Sequence, residues 1–142
     1  MHDIGKIGIP DDILKKPAKL TVEEFDIIKR HSIIGAEIIG HTDNELIHIA
    51  KIIALEHHEK WNGKGYPKGL KGEEINLYAR ITSVADVFDA LLSRRPYKEP
   101  WMPNDTIEWI KEQSGKDFDP KVVEAFIRAL PELLKIEKIF RD

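Results

Sequence analysis

The sequence contains no cysteine. Disulfides and thiolate metal sites are therefore excluded, and any metal would have to sit on histidine, carboxylate or water. No apolar run approaches the roughly 20 residues that span a bilayer, and the N-terminus lacks the basic and apolar regions of a signal peptide. A soluble, cytoplasmic domain with no membrane contact is expected. Neither sign of charge dominates: 22 Lys and Arg stand against 25 Asp and Glu, for a net charge of -3. That balance leaves no overall basic footprint for duplex nucleic acid, whereas a small phosphorylated ligand needs only a local basic patch. Internal repeats, low-complexity tracts and period-2 alternation long enough for a strand are also missing. What is present is a chain of 142 residues, 42% hydrophobic, with six histidines. That is long enough for one domain with its own core, and the expected class is all-α.

The chemistry concentrates in residues 55–70, LEHHEKWNGKGYPKGL. His57 and His58 end an apolar run and are followed at once by a glycine-rich loop stopped by Pro67. Neighbours on a regular α-helix point about 100° apart, so two metals, or one metal and one substrate contact, suit this pair better than one shared ion. In the loop, Trp61 and Tyr66 offer flat faces and Lys60, Lys64 and Lys68 offer charge. Such a composition could stack a purine and hold phosphates. It could equally be a turn stabilised by packed aromatics.

Taken from the start, His2 and Asp3 stand side by side, workable as ligands where a helix end turns into a loop, which Gly5, Gly8 and Pro10 would supply. After a polar connector with one short turn over 12–15, Thr21 and Glu24 form a capping box and Gly40 ends the helix they open. Phe25, Ile28, Gly35, Ala36 and Ile39 share its inner face, and His31 lies on that side. A histidine there is more often a core residue than a ligand; other inward histidines weaken that reading. Asp43 or Asn44 caps the next helix, whose stripe of Ile47, Ala50, Ile53 and Ala54 leads to His57. His41 and His48 show no convergence and read as structural or exposed.

From Asn76 to Leu92 runs the most apolar helix, striped by Leu77, Ile81, Val84, Ala85, Phe88, Leu91 and Leu92. Asp86 stands off that stripe among Ala79, Ser83 and Ala90, and a carboxylate within an apolar helix is costly unless paired or coordinated. Arg94, Arg95 and Lys98 follow as the strongest local basic cluster, before Pro96 and Pro100 break the chain; a solvated loop is the simpler account of them. The remainder reads as scaffold: a helix over 106–114 ended by Gly115, one opened by Asp119 and Pro120 with Val122, Val123, Phe126 and Ile127, and, beyond a break at Pro131, a last one with Leu133, Leu134, Ile136 and Ile139.

His2 with Asp3, His31, His57 with His58, and Asp86 thus lie on four separate elements, the spacing expected if several packed helices each supply inward ligands. HDIGK, then HHEKWNGKGYPKGLKGEEI, then ARITSVADVFDALLSRRPY resemble the HD-GYP subgroup of the HD-domain phosphohydrolases, over nearly the whole chain to DFDPKVVEAF. The resemblance implies a helical bundle around two or three divalent metal ions, usually Fe or Mn. It also implies hydrolysis of cyclic di-GMP to linear pGpG or GMP, through a hydroxide bridging the ions.

Residue by residue, it implies metal ligation by His2, Asp3, His31, His57, His58 and Asp86, with Asp3 as the bridge. Lys6 would contact the scissile phosphate or help the leaving group, Arg95 and Lys98 would bind phosphate, and Gly65, Tyr66 and Pro67 would form the signature loop beside the site. Asn62 replaces an aspartate common in relatives, outside the ligand set. The family carries a further helix before HD, so 1–142 is expected to be a single HD-GYP domain short of its usual first helix or helices. It would then be a fragment with an upstream sensory or receiver domain, a natural short form with impaired turnover, or a homodimer lending the missing helix across its interface. The alternative function is a regulatory module that binds metal or nucleotide without turnover.

Overall fold

The computed structural model describes residues 1–95 and 98–140. A 3-10 turn over Ile4–Gly8 leads into α1 (Asp11–Leu14), α2 (Val22–Lys29), α3 (His31–Ile39), α4 (Glu45–Glu56), α5 (Leu77–Leu92), α6 (Pro103–Glu112) and α7 (Pro120–Phe140). No strand occurs among the described residues, only isolated bridges such as Asn62 with Lys71 and Ser114 with Phe118. The all-α expectation holds. Pro96, read as a chain break, and Tyr97 lie outside the described residues.

The caps read from the sequence form as their chemistry dictates. Thr21 and Glu24 exchange side-chain bonds with each other's amides, at 3.1 and 2.8 Å, and Asn44 accepts from the amide of Ile47; Asn76, expected as the first residue of its helix, is instead its cap and accepts from the amide of Tyr78. Other boundaries differ. The helix expected over 21–40 is two, divided at Arg30. At the division, His31 Nδ1 lies 2.6 Å from the carbonyl of Ile28 and the Ser32 hydroxyl donates to that of Lys29 at 2.9 Å, so side chains satisfy carbonyls that the ladder leaves. The break expected at Pro131 is absent, and α7 runs through it. The proline removes one ladder donor, but Leu130, Leu133 and Leu134 on both sides of it pack against the same core. The helix expected over 106–114 begins earlier, with Pro103 in its first turn, where a missing donor costs nothing.

The apolar core joins α5, α6 and α7 through Val84, Phe88, Leu92, Ile110, Phe118, Val122, Val123 and Phe126. Several positions read as interior are exposed instead: Phe25, Ile47, Leu77 and Ile81, because the described helices do not cover those faces. In the N-terminal half the 3-10 turn lies directly on α3. A Cβ on Gly5 would overlap the main chain of His31 and Gly35, so only glycine permits the approach. That contact delivers His2 and Asp3 to the start of α3.

Candidate metal centre

Five of the six predicted ligands converge from three elements, and the sixth reaches them from α5. Asp3, His31, His57 and His58 each offer a donor atom within 4.8 Å of the others, and His2, Asp3 and Asp86 form a second such group. Asp3 belongs to both. Its Oδ1 lies 3.4 Å from His31 Nε2 and 3.5 Å from His57 Nε2, whereas Oδ2 lies 3.4 Å from His2 Nε2 and 3.0 Å from Lys6 Nζ. Asp86 Oδ1 completes the second group at 3.2 Å from His2 Nε2.

Two metals, or one metal and one substrate contact, are the expectation for His57 and His58; the fold gathers donor atoms of both rings into one group. The helical argument fails because α4 ends at Glu56 and His57 is its cap. His58 lies beyond the regular helix, so the rings, with centroids 4.1 Å apart, are freed from the 100° spacing. His31 is a buried residue as well as a candidate ligand, its ring 1% exposed.

The donor set fits a divalent cation. His31 and His57 direct Nδ1 at main-chain carbonyls, of Ile28 at 2.6 Å and of Ile53 and Ala54 at 3.0 Å. A proton on each Nδ1 leaves each Nε2 as a bare lone pair. Those nitrogens nevertheless face one another at 3.4 Å, with His58 Nε2 3.2 Å from that of His31. Lone pairs crowded with a carboxylate oxygen call for a positive centre between them. Ligands about 2.0–2.2 Å from a metal stand about 3.0–3.5 Å from each other, which matches.

Electrostatics agree. The imidazoles of His31 and His57 at Oδ1, and Lys6 at Oδ2, hold the Asp3 carboxyl far below the usual carboxylate range. Burial, then the neighbouring His57 and His31, push His58 down to about 3, so it is neutral and able to ligate at pH 7. Burial and the nearby Asp3 and Asp86 carboxylates raise the Tyr66 phenol to about 12.

The Gly65-Tyr66-Pro67 turn stands beside the donor group. The Tyr66 ring stacks on His58 at 4.9 Å and 19°, and a side chain on Gly65 would strike the main chain of residues 58–60. Arg95 and Lys98 are exposed and pair main chain to main chain, at 3.4 and 3.2 Å. Among the described residues neither side chain bonds to the centre. His41 and His48 are exposed, as read.

Two residues outside the expected set stand beside the centre. Glu59 is buried, 3% exposed, and accepts the amides of Lys68 and Leu70 at 2.7 and 2.9 Å. Its signal was there: an acid opening a loop whose amides have no helix or sheet to bond. Lys29 places Nζ over the ring of Phe25, one turn earlier on α2, at 4.9 Å, and over that of Tyr66 at 5.6 Å; the fold brings Tyr66 there.

The sequence pattern of the family described as HD domain matches residues 1–122. The cyclic di-GMP phosphodiesterase response regulator RpfG of Xanthomonas campestris is 50% identical over 96% of this chain and 36% of its own length. A cyclic di-GMP phosphodiesterase of Thermotoga maritima is 47% identical over 100% of this chain and 39% of its own. The 3'3'-cGAMP-specific phosphodiesterase 2 of Vibrio cholerae is 44% identical over 100% and 27%. The chain thus spans less than two fifths of the length of these relatives. A crystal structure of a cyclic GMP-AMP-specific phosphodiesterase of Vibrio cholerae superposes with a TM-score of 0.55 at 21% identity, over 89% of this chain and 32% of that one, which is a likeness of fold. With the family pattern across residues 1–122 and the histidine and aspartate motif gathered at one centre, the chain belongs to the HD-domain family.

Proposed function

We propose that this chain is an HD-GYP phosphodiesterase domain that hydrolyses cyclic di-GMP, or a closely related 3',3'-cyclic dinucleotide, to linear pGpG or GMP. The observation that carries the reading is Asp3, whose two oxygens face different donor groups. A carboxylate so placed can serve two cations at once. Asp3, His31, His57 and His58 would hold one divalent ion, and His2, Asp3 and Asp86 another. Mixed imidazole and carboxylate donors suit Fe or Mn better than Mg. Such ions, when bound, make water a nucleophile at neutral pH and neutralise charge developing on a phosphodiester.

The chain's own residues divide the remaining work. Lys6 Nζ, 3.0 Å from Asp3 Oδ2, can meet a phosphate oxygen or steady the departing one. Tyr66, protonated throughout the physiological range because its pKa is raised to about 12, can donate to a phosphate or base edge at the rim. Gly65 and Pro67 hold that rim, and Arg95 and Lys98 add positive charge for a second phosphate. The names of the three relatives support the substrate class, cyclic di-GMP for two and 3'3'-cGAMP for one. The response-regulator name of the first supports an upstream receiver or sensory domain.

The test is metal content of anaerobically purified protein, followed by turnover of cyclic di-GMP and 3',3'-cyclic GMP-AMP with Mn or Fe(II), products being separated by chromatography. Two or more ions per chain with linear product supports the proposal. Bound ions and nucleotide without product would favour the non-hydrolytic module, and no bound ion would sink the centre itself.

A further inference from the structure

Of the three histidines in the larger donor group, two are oriented by the main chain and one is not. His31 and His57 each tie Nδ1 to a carbonyl, the usual means by which a ligating imidazole is aimed. Among the described residues His58 Nδ1 has no such partner. Its ring is held by a face instead, the near-parallel stack on Tyr66 at 4.9 Å. What holds Tyr66 therefore aims His58.

The turn bearing Tyr66 is pinned at both ends to the main chain that carries His58. Ahead of the ring, the Tyr66 amide donates to the His58 carbonyl at 3.2 Å, and Gly65 lies so close to Glu59 that no Cβ fits. Behind it, the buried Glu59 carboxylate takes the amides of Lys68 and Leu70 on separate oxygens. Charged acceptors make the stronger hydrogen bonds, and these are shielded from water. Glu59 donates nothing to the centre and lies in neither donor group. We infer that Glu59 is a positioning residue: by clamping residues 68–70 it fixes Tyr66 against His58 and so presets His58 as a metal ligand.

This inference rests on the metal centre proposed above, and its test separates the two. Manganese is titrated calorimetrically into the metal-free chain, its Glu59→Gln and Tyr66→Leu variants, and the double variant, with thermal melting of each in chelator. In Glu59→Gln one amide loses its acceptor and meets an NH2 group. Loss of an orienting partner typically weakens metal affinity 10–100-fold. Each single variant should bind manganese about tenfold or more weakly, and the double variant no more weakly than the worse single, because both act through one ring.

Asp119→Asn is the control for mere structure. Asp119 is as buried as Glu59, 3% exposed, but its partners are Arg80 and the Lys121 amide, and it belongs to neither donor group. It should lower the melting temperature and leave manganese affinity unchanged. Unchanged affinity in a folded Glu59→Gln, additive losses in the double variant, or an equal loss in Asp119→Asn would overturn the inference. If Glu59→Gln fails to fold, Tyr66→Leu decides, and wild-type affinity there overturns it too. A wild-type chain that binds no manganese would instead overturn the metal centre.

Discussion

The two faces of α5 belong to different kinds of interior. Through Val84, Phe88 and Leu92 the helix joins an apolar cluster with α6 and α7, where side chains are exchangeable as long as volume is kept. Through Asp86 it meets His2 and the donor groups, where titratable atoms crowd within 3.2 to 3.5 Å. Burial of apolar area stabilises the first without help. The second is stable as drawn only with positive charge among its lone pairs, so it should be the softer half in the absence of metal and the stiffer one in its presence. The comparison separates what folds this domain from what it is folded for.

The sharpest way to break that comparison is to remove the atom shared by both donor groups. Asp3→Asn should reduce bound manganese per chain and, because metal ions supply several kcal/mol of charge stabilisation, lower turnover by about 10³-fold or more. Metal analysis and an activity assay check it. Its metal-free melting temperature should fall too, because the neutral amide gives up the charged contacts that hold the Asp3 carboxylate. Phe126→Ala is the mirror image. Phe126 is buried and meets Phe88 edge-on at 5.2 Å, so its truncation should cost about 3–5 kcal/mol in denaturant unfolding. The metal count at saturation should not change.

These two halves were unequally legible in the sequence. The helical periodicities and the caps at Thr21 and Asn44 are local, and local rules found them. The residues of the candidate centre were also named in advance, by the family resemblance and, for Asp86, by the need of a carboxylate on an apolar helix for a partner, and they stand close together. What stayed hidden depended on geometry between elements. Convergence of His57 with His58 follows from α4 stopping at Glu56, and the division at Arg30 follows from His31 and Ser32 bonding backward. The continuity of α7 through Pro131 depends on what lies beneath it. Glu59 was passed over because its partners are nine and eleven residues away.

Acid should sharpen the contrast by a smaller amount. His58 has a folded pKa of about 3 against about 6.5 in an unfolded chain. Between those values the unfolded chain binds more protons, so stability is fully present above about pH 6.5 and declines as pH falls towards 3. Asp3, whose folded pKa is depressed, adds a loss below about pH 4, where its unfolded form protonates. Metal-free protein melted across pH 4 to 8 should lose stability below pH 6.5, and His58→Gln should flatten the upper part of that decline. Saturating manganese should raise the melting temperature at pH 7.5, and less at pH 5, because protons compete for the same nitrogens.

The smallest effect belongs to a site that touches neither interior. Thr21 and Glu24 close the first turn of α2, and Lys16 binds Glu24 at 2.7 Å, holding that carboxyl below its ordinary pKa. Thr21→Ala leaves the Glu24 amide without its acceptor and should lower stability by about 1 kcal/mol. The division at Arg30 decides whether that loss spreads. If α2 and α3 were one rigid rod, fraying at Thr21 would disturb His31 and weaken manganese binding. With His31 anchored by its own bond to the Ile28 carbonyl and the start of α3 seated against Gly5, manganese affinity should be unchanged while the melting temperature drops by a few degrees. A parallel fall in affinity would show that the centre is positioned from α2 as well.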